Sequence, residues 1–175
     1  MKINRFLLVL LSLGISWSAQ AQYRQHRDYV GGSFIRGNLN YGGNDFDLNA
    51  LDLRLGVDMV KWFHIEGRVA FGLNDKAING VEISINRLLG VHGVFSLPNK
   101  TLFRPYAVAG LTYGEVEFRL PGFGSADESE TDLSFGAGVD AEINDSIDLF
   151  LEYMQYLDKG LIDFSGISVG LKFDF

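Results

Sequence analysis

The chain contains three histidines and no cysteine, which limits the catalytic chemistry it could perform. Without a thiolate there is no cysteine nucleophile and no cysteine-type zinc site. His26, His64 and His92 could act as general bases, because imidazole titrates near neutral pH. Glu66 lies two residues after His64 and could orient it, but such a pair is equally typical of a structural hydrogen bond. No strand carries two histidines at metal-ligand spacing, so we predict no catalytic, cofactor or metal site.

A second candidate site is the polar segment RLPGFGSADESETD, residues 119–132. Its acidic residues are Asp127, Glu128, Glu130 and Asp132. Such a cluster could bind a divalent cation or a basic partner. It could equally be a solvated loop that keeps the surface soluble, which is the simpler interpretation.

The N-terminus predicts export. Positive charge at Lys2 and Arg5 precedes an apolar run over residues 6–15 and a short Ala-Gln-Ala site. This order is typical of a secretory signal peptide, and the apolar run is too short for a membrane helix, which needs about 20 residues. We therefore predict a signal peptide over residues 1–21 and a mature domain over residues 22–175.

Composition narrows the class of protein further. The chain has 175 residues, of which 47% are hydrophobic, with 21 glycines and only 3 prolines. These values indicate an ordered domain with many strands and not a disordered chain. The formal net charge is −7, and removal of the signal peptide would make the chain more acidic. A nucleic-acid partner is not expected, because phosphate backbones bind clustered Lys and Arg.

Apolar and polar residues alternate with a period of two, which predicts strands with one apolar and one polar face. We predict eight strands, over residues 28–39, 51–59, 63–73, 83–97, 105–118, 132–143, 146–154 and 166–175. Short links near 60–61, 98–101 and 144–145 alternate with longer ones at 40–50, 74–82, 119–131 and 155–165. Short turns at one rim and longer loops at the other are typical of an all-β, eight-stranded antiparallel up-and-down transmembrane β-barrel.

The polar faces indicate which side of the wall looks inward. They combine small residues with charges of both signs, which suits a narrow lumen in which ions must pair. The predicted lumen charge network comprises Asp52, Arg54, Asp58, Glu66, Arg68, Asp140, Glu142, Asp148, Glu152 and Lys172. Two aromatic girdles are expected at the membrane interfaces. Tyr106 is predicted in the lower girdle, at the rim of the short turns, and Tyr156 in the upper girdle, at the rim of the long links. The facing of strands 28–39, 83–97 and 105–118 stays open, although Ile85 and Leu89 fall on one side by spacing.

The signal peptide, the eight runs and the terminal VGLKFDF together resemble the small eight-stranded outer-membrane barrels. That family includes the transmembrane domain of outer-membrane protein A and the OmpX/Ail group. The resemblance implies an integral protein of a Gram-negative outer membrane, in contact with lipid and lipopolysaccharide. It also implies delivery by periplasmic chaperones and insertion by the barrel-assembly machinery. The matching assembly signal is Ile167, Val169, Leu171, Phe173 and Phe175.

The resemblance implies a structural or interaction role, in envelope integrity, adhesion or recognition of a host or surface ligand through the loops. We expect a monomer without cofactor, and not an open pore, because eight strands enclose too little space for a water channel. Two alternatives stay open. One is a barrel enzyme that modifies lipid A, although the His-x-Ser pair of the deacylases is missing here. The other is a soluble, lipocalin-like lipid-binding barrel.

Overall fold

The computed structural model describes residues 28–41, 43–74, 76–78, 81–97, 101–120, 124–159 and 162–175. The predicted signal peptide and His26 lie outside these ranges. The strands are β1 (Tyr29–Tyr41), β2 (Asn44–Val60), β3 (Phe63–Gly72), β4 (Lys76–Ile78), β5 (Val81–Ser96), β6 (Phe103–Leu120), β7 (Gly124–Asn144), β8 (Ile147–Lys159) and β9 (Ile162–Asp174). Across the described ranges, no helix is long and apolar enough to cross a bilayer.

The sheet closes on itself. Each long strand pairs antiparallel with its neighbours in the chain, β1 pairs with β9, and β3 pairs with β5. The three-residue β4 adds only a short pairing to β5 at the rim. The eight long strands therefore form a closed, antiparallel up-and-down barrel, which confirms the predicted fold class.

Three of the four long links predicted as loops are largely strand. Pairing of β1 with β2 continues to Tyr41 and Asn44, and pairing of β8 with β9 continues to Lys159 and Ile162. The β6–β7 hairpin stays paired to Leu120. The predicted lengths matched the ~9–11 residues that cross a bilayer. Backbone pairing does not stop at that boundary, since antiparallel hydrogen bonds satisfy the backbone equally well in water.

The wall changes polarity along its height, as β2 shows. In its lower part Leu51, Leu53 and Leu55 are exposed on the outside, while alternate residues are buried charges inside. Towards the upper rim the outside carries exposed Asp45 and Asp47, while the alternate residues are buried and apolar. We call the lower part the membrane band and the upper part the cap. The membrane band has the polarity of a membrane barrel, whereas the cap has that of a soluble one.

The inside of the cap is a compact hydrophobic cluster, which we call the apolar plug. It comprises Ile35, Leu39, Phe46, Leu48, Ala50, Ala70, Ile85, Leu88, Val116, Met154, Tyr156, Leu157 and Phe164. Tyr156 stacks on Phe164 with ring centroids 5.3 Å apart. Tyr156 is therefore part of this interior, and the prediction that it belongs to the upper aromatic girdle is wrong.

A register irregularity in β5 corrects another sequence expectation. The pairing of β5 with β6 shifts between Ile85 and Arg87, so Asn86 is an inserted residue. A bulge of this kind reverses the facing of the residues that follow it. Ile85 is consequently buried in the plug while Leu89 is exposed on the outer wall, so placing the two on one face was wrong.

Candidate functional site

The centre of the lumen holds a buried ion cluster built around Glu152 of β8. Arg68 donates to both of its oxygens, from Nη1 to Oε1 at 2.7 Å and from Nη2 to Oε2 at 2.9 Å. Arg54 lies 3.4 Å away through Nη2, and the Tyr106 hydroxyl donates to Oε2 at 3.0 Å. Tyr106 therefore points into the lumen, and its predicted place in the lower girdle is wrong. One carboxylate thus joins strands β2, β3, β6 and β8.

Two further carboxylates complete the cluster from β2 and β3. Arg54 donates to Asp52 from Nε at 2.9 Å and from Nη2 at 2.7 Å, and Arg68 donates from Nε to Glu66 at 2.6 Å. Each Arg lies two residues from its acid, so alternation puts both side chains on the inner face. The Tyr29 hydroxyl also donates to Glu66. These buried ions are each compensated, as a low-dielectric interior requires.

A second group lies nearer the short-turn rim. Lys172 donates to Asp140 at 2.8 Å, and its ammonium lies 4.6 Å from the ring centre of Tyr106. Arg104 donates to Asp148 and approaches Glu142 at 4.0 Å. Sequence reasoning missed Arg104, because the opening residues of β6 do not alternate cleanly. No sequence signal identified it, because Tyr106, two residues later on the same face, was itself predicted to lie in an aromatic girdle.

Two of the histidines also face the lumen. His64 pairs with Asp58 near the rim. His92 is buried, and its Nε2 lies 2.9 Å from the Ser134 hydroxyl and 3.2 Å from that of Thr112. Neither of these His92 partners was predicted, because they come from strands 20 and 42 residues away.

The His92 group has the residue types of a serine nucleophile and its base, but not the geometry. In the described part of the chain, Nδ1 has no hydrogen-bond partner, so no carboxylate orients the ring. The ring packs against Gly90 and Gly110, where an added Cβ would lie 2.3 Å and 2.7 Å from its carbons. All three side chains are buried, with His92 and Thr112 2% exposed and Ser134 1% exposed.

The predicted acidic loop is not a loop tip. Glu128, Glu130 and Asp132 lie on β7, and the side chain of Asp127 is outside the described part of the structure. Glu130 pairs with Lys159 at 3.0 Å, and Asp132 accepts the backbone N–H of Asp158 at 2.8 Å. Glu128 lies 3.4 Å from the Tyr41 hydroxyl. Within the described residues no group of three acidic or histidine side chains could hold a metal ion.

These carboxylates close a seam in the cap. Backbone pairing of β7 with β8 ends at Phe135 and Gln155, so the upper part of β7 is paired with β6 alone. The Asp132 carboxylate covers the N–H of Leu133 at 2.8 Å, and Lys159 covers the carbonyl of Thr131 at 3.3 Å. Charged side chains that cover a free strand edge prevent unwanted pairing with other chains. Asp132 and Glu130 therefore stabilise the free edge of β7, through a hydrogen bond to β8 and an ion pair with Lys159.

The predicted assembly-signal residues lie on the outer face of β9 and at the terminus that follows it. Ile167, Val169, Leu171 and Phe173 are exposed there, and Phe175 is 74% exposed. The N–H of Phe175 donates to the carbonyl of Asp28 at 2.9 Å, which ties the end of the strand to the start of β1. This face presents apolar side chains to lipid along the height of the membrane band.

A closed eight-stranded barrel with an apolar outer wall and paired ions inside defines the class of small transmembrane β-barrels. The chain belongs to the outer membrane protein beta-barrel domain family, whose model matches residues 7–175. The soluble, lipocalin-like alternative is therefore wrong.

Solved structures show the same fold. Neisserial surface protein A superposes with a TM-score of 0.73 at 15% identity, covering 87% of this chain and 100% of that one. Ail, the attachment invasion locus protein of Yersinia pestis, gives 0.67 at 13% identity with the same coverage. The N-terminal β-barrel domain of Pseudomonas aeruginosa OprF gives 0.58 at 14% identity, covering 86% and 100%. No curated protein sequence matches the chain.

Proposed function

We propose that this protein is a closed, non-conducting barrel of the outer membrane with a structural or recognition role at the cell surface. The observation that carries the proposal is the doubly filled lumen. The arginine–glutamate cluster occupies the membrane band, and the apolar plug fills the cap above it. An ion or solute crossing the barrel would have to displace both layers.

Export and insertion follow from the same proposal. Residues 1–21 direct the chain to the periplasm, and the outward apolar face of β9 ending at Phe175 serves as the assembly signal. The barrel is then a monomer, because in the described part of the membrane band each long strand is paired on both sides and offers no free edge to another chain. Its acidic composition does not favour a nucleic-acid partner.

A recognition role is supported by the cap. The β6–β7 hairpin continues past the end of its pairing with β8 and presents polar side chains such as Glu117 and Ser129 to the outside. Among proteins of similar fold are one described as a surface protein and one described as an attachment invasion locus protein. At 13–15% identity they share the fold with this chain, and the binding partner is left to experiment.

Catalysis on lipid A is the weaker candidate. The described residues that come nearest to a catalytic set are His92, Ser134 and Thr112, and they face the enclosed lumen and not the lipid. We propose that they satisfy one another's hydrogen bonds and do no chemistry.

The proposal is tested by conductance in planar bilayers. We expect the purified full chain to migrate differently on a detergent gel before and after boiling, as folded barrels do, and to give no steady channel current. A general porin reconstituted in parallel is the positive control. A stable current from a preparation that shows the gel shift would overturn the non-conducting assignment. Absence of any gel shift would overturn the membrane barrel itself.

A further inference from the structure

The upper part of β7 has one side that no described strand occupies. β7 begins at Gly124, but its pairing with β8 begins only at Phe135. Lys159, the last residue of β8, reaches the Thr131 carbonyl with its ammonium at 3.3 Å. Residues 124–130 of β7 therefore extend past the end of β8 and pair with β6 alone. We call the unpaired side of residues 124–130 the open edge.

The pairing with β6 determines which backbone groups face the open edge. Glu142 donates its N–H to the carbonyl of Leu102 on the β6 side, so the even-numbered residues of β7 bond to β6. In an antiparallel pair, successive residues direct their N–H and C=O groups to opposite sides. The odd-numbered residues therefore face away from β6. The covered N–H of Leu133 and the covered carbonyl of Thr131 lie on this side, as expected.

Above Thr131 the covering side chains end. Ser125, Asp127 and Ser129 each direct a backbone N–H and C=O to the open edge, where no described strand pairs with them. These donors and acceptors repeat at every second residue, about 6.8 Å apart, which is the repeat of another extended backbone. An extended peptide can therefore join such an edge as a further strand, held by main-chain hydrogen bonds.

The side chains beside the open edge favour a basic strand. Glu128 is exposed and, among the described residues, accepts a hydrogen bond only from the Tyr41 hydroxyl, at 3.4 Å. The next acid on the same face, Glu130, is already paired with Lys159 at 3.0 Å. Opposite charges directly across two strands stabilise the pair, so the residue opposite Glu128 should be Lys or Arg. The formal net charge of −7 also attracts basic segments.

We propose that the open edge binds an extended segment of another protein that carries Lys or Arg at alternate positions. The segment adds to β7 as a strand, with its backbone bonded to Ser129 and a cation beside Glu128. This inference rests on the proposed function, because it requires the cap to lie on the outside of the cell. The competing occupant is a second copy of this chain, which the test distinguishes.

The test is amide hydrogen exchange, followed by NMR on the folded full chain in detergent. The probe is a peptide of about seven alternating Thr and Lys residues, the length of a common strand. We expect it to slow the exchange of Ser125, Asp127 and Ser129. The amides of Glu128 and Glu130 face β6, so their exchange should change much less. A peptide with Glu in place of each Lys should give no slowing at the same concentration.

Substitutions at the open edge test its two components. Ser129→Pro removes an N–H that does not face β6, and is expected to weaken peptide binding about tenfold because the ring cannot donate. Ser129→Thr keeps the N–H and should bind the peptide as the unmodified chain does. Glu128→Gln should weaken binding about threefold. The matched control Asp47→Asn removes an exposed acid on β2 and should not weaken it.

The same backbone contact is tested from the peptide. Replacing one Thr near its middle by Pro should weaken its binding to the unmodified chain about tenfold. This measurement does not depend on folding of the Ser129→Pro variant.

Three outcomes would overturn the proposal. One is unchanged binding by Ser129→Pro with the gel shift on boiling retained. Another is equal slowing at odd-numbered and even-numbered residues of the segment. The third is a dimer that forms without peptide and is abolished by Ser129→Pro, which would identify a second copy as the occupant. Absence of the gel shift in the unmodified chain would instead overturn the proposed membrane barrel, so the two failures are distinguishable.

Discussion

At the scale of single residues, the interior depends on a few carboxylates that each serve several partners. Glu152 receives Arg54, Arg68 and Tyr106, which come from three other strands. The Arg54 guanidinium also lies 4.1 Å from the ring centre of Phe150. Because both arginine side chains are almost wholly buried, loss of one shared acid would leave cationic charge without compensation in the lumen.

Glu152→Gln tests this dependence while keeping the side-chain shape. We expect the free energy of unfolding to fall by about 3–5 kcal/mol, the cost of removing one partner from a buried ion pair. The measurement is urea-induced unfolding of the barrel in lipid vesicles.

The matched control is Glu142→Gln, in which the acid is 33% exposed and lies 4.0 Å from Arg104. A partly exposed pair of this length should change the free energy of unfolding by less than about 1 kcal/mol. Similar losses for the two variants would mean that the shared position of Glu152 has no special importance.

At the scale of the strand, the boundary between membrane band and cap is the height at which the outward-facing residues change from polar to apolar. On β2 the outward series runs from Asp45 and Asp47 through Asn49 to Leu51 and Leu53. The inward series changes in the opposite sense at the same height, from buried apolar residues to Asp52 and Arg54. The apolar side chains of β2 thus move from its inner face in the cap to its outer face in the membrane band without any break in pairing. The reason is that water favours polar side chains on the outside of the barrel and lipid favours apolar ones.

Leu53→Arg places a cation on the lipid-facing wall, where Leu53 is 57% exposed. We expect the free energy of unfolding in vesicles to fall by about 2–4 kcal/mol, the cost of a cation near the bilayer midplane.

Asn49→Arg introduces the same side chain on the same face of β2, four residues above. It lies beyond the apolar wall, so the expected cost is close to zero, as it is near the interfaces. Equal costs at the two positions would show that the boundary is misplaced.

At the scale of the whole molecule, membrane band and cap are two filled compartments in one continuous sheet. The upper part of the β6–β7 hairpin contributes to the cap and, among the described strands, pairs only with β5 on one side. The membrane band is complete below it. Shortening this hairpin should therefore remove part of the outer surface of the cap without affecting insertion of the barrel into the membrane.

Replacing residues 118–126 by an Asn-Gly turn tests this separation, since the dipeptide favours a tight hairpin. We expect the shortened protein to keep its gel shift on boiling and to lose any ligand bound by the cap.

The contrasting variant is deletion of Val139 in the membrane band. Removing one residue turns the rest of the strand to its other face and is expected to abolish the gel shift. If the shortened hairpin also abolished the shift, the cap would be required for insertion.

Much of this arrangement could be predicted from the sequence because side chains alternate along a strand. Alternation alone places Arg54, Arg68 and Glu152 on the polar faces of their strands, and all three lie in the lumen. The same rule failed at Ile85, because a bulge inserts a residue that local periodicity does not reveal. The girdle expectation failed at Tyr106 and Tyr156, because an aromatic ring near a strand end suits a membrane interface and a lumen equally well.

The sequence by itself determined the class of protein: eight alternating strands, an apolar outer face, and ions of both signs on the other face. Only the tertiary structure decided which ions meet. Glu152 and Arg54 are separated by 98 residues, and closure of the sheet brings them together across the lumen. The tertiary structure also showed that the hairpins stay paired beyond the membrane band, and that acidic residues on β7 cover a strand edge where its pairing with β8 ends. Periodicity records how each residue faces its surroundings, whereas contacts across the barrel depend on how all strands are arranged around one axis.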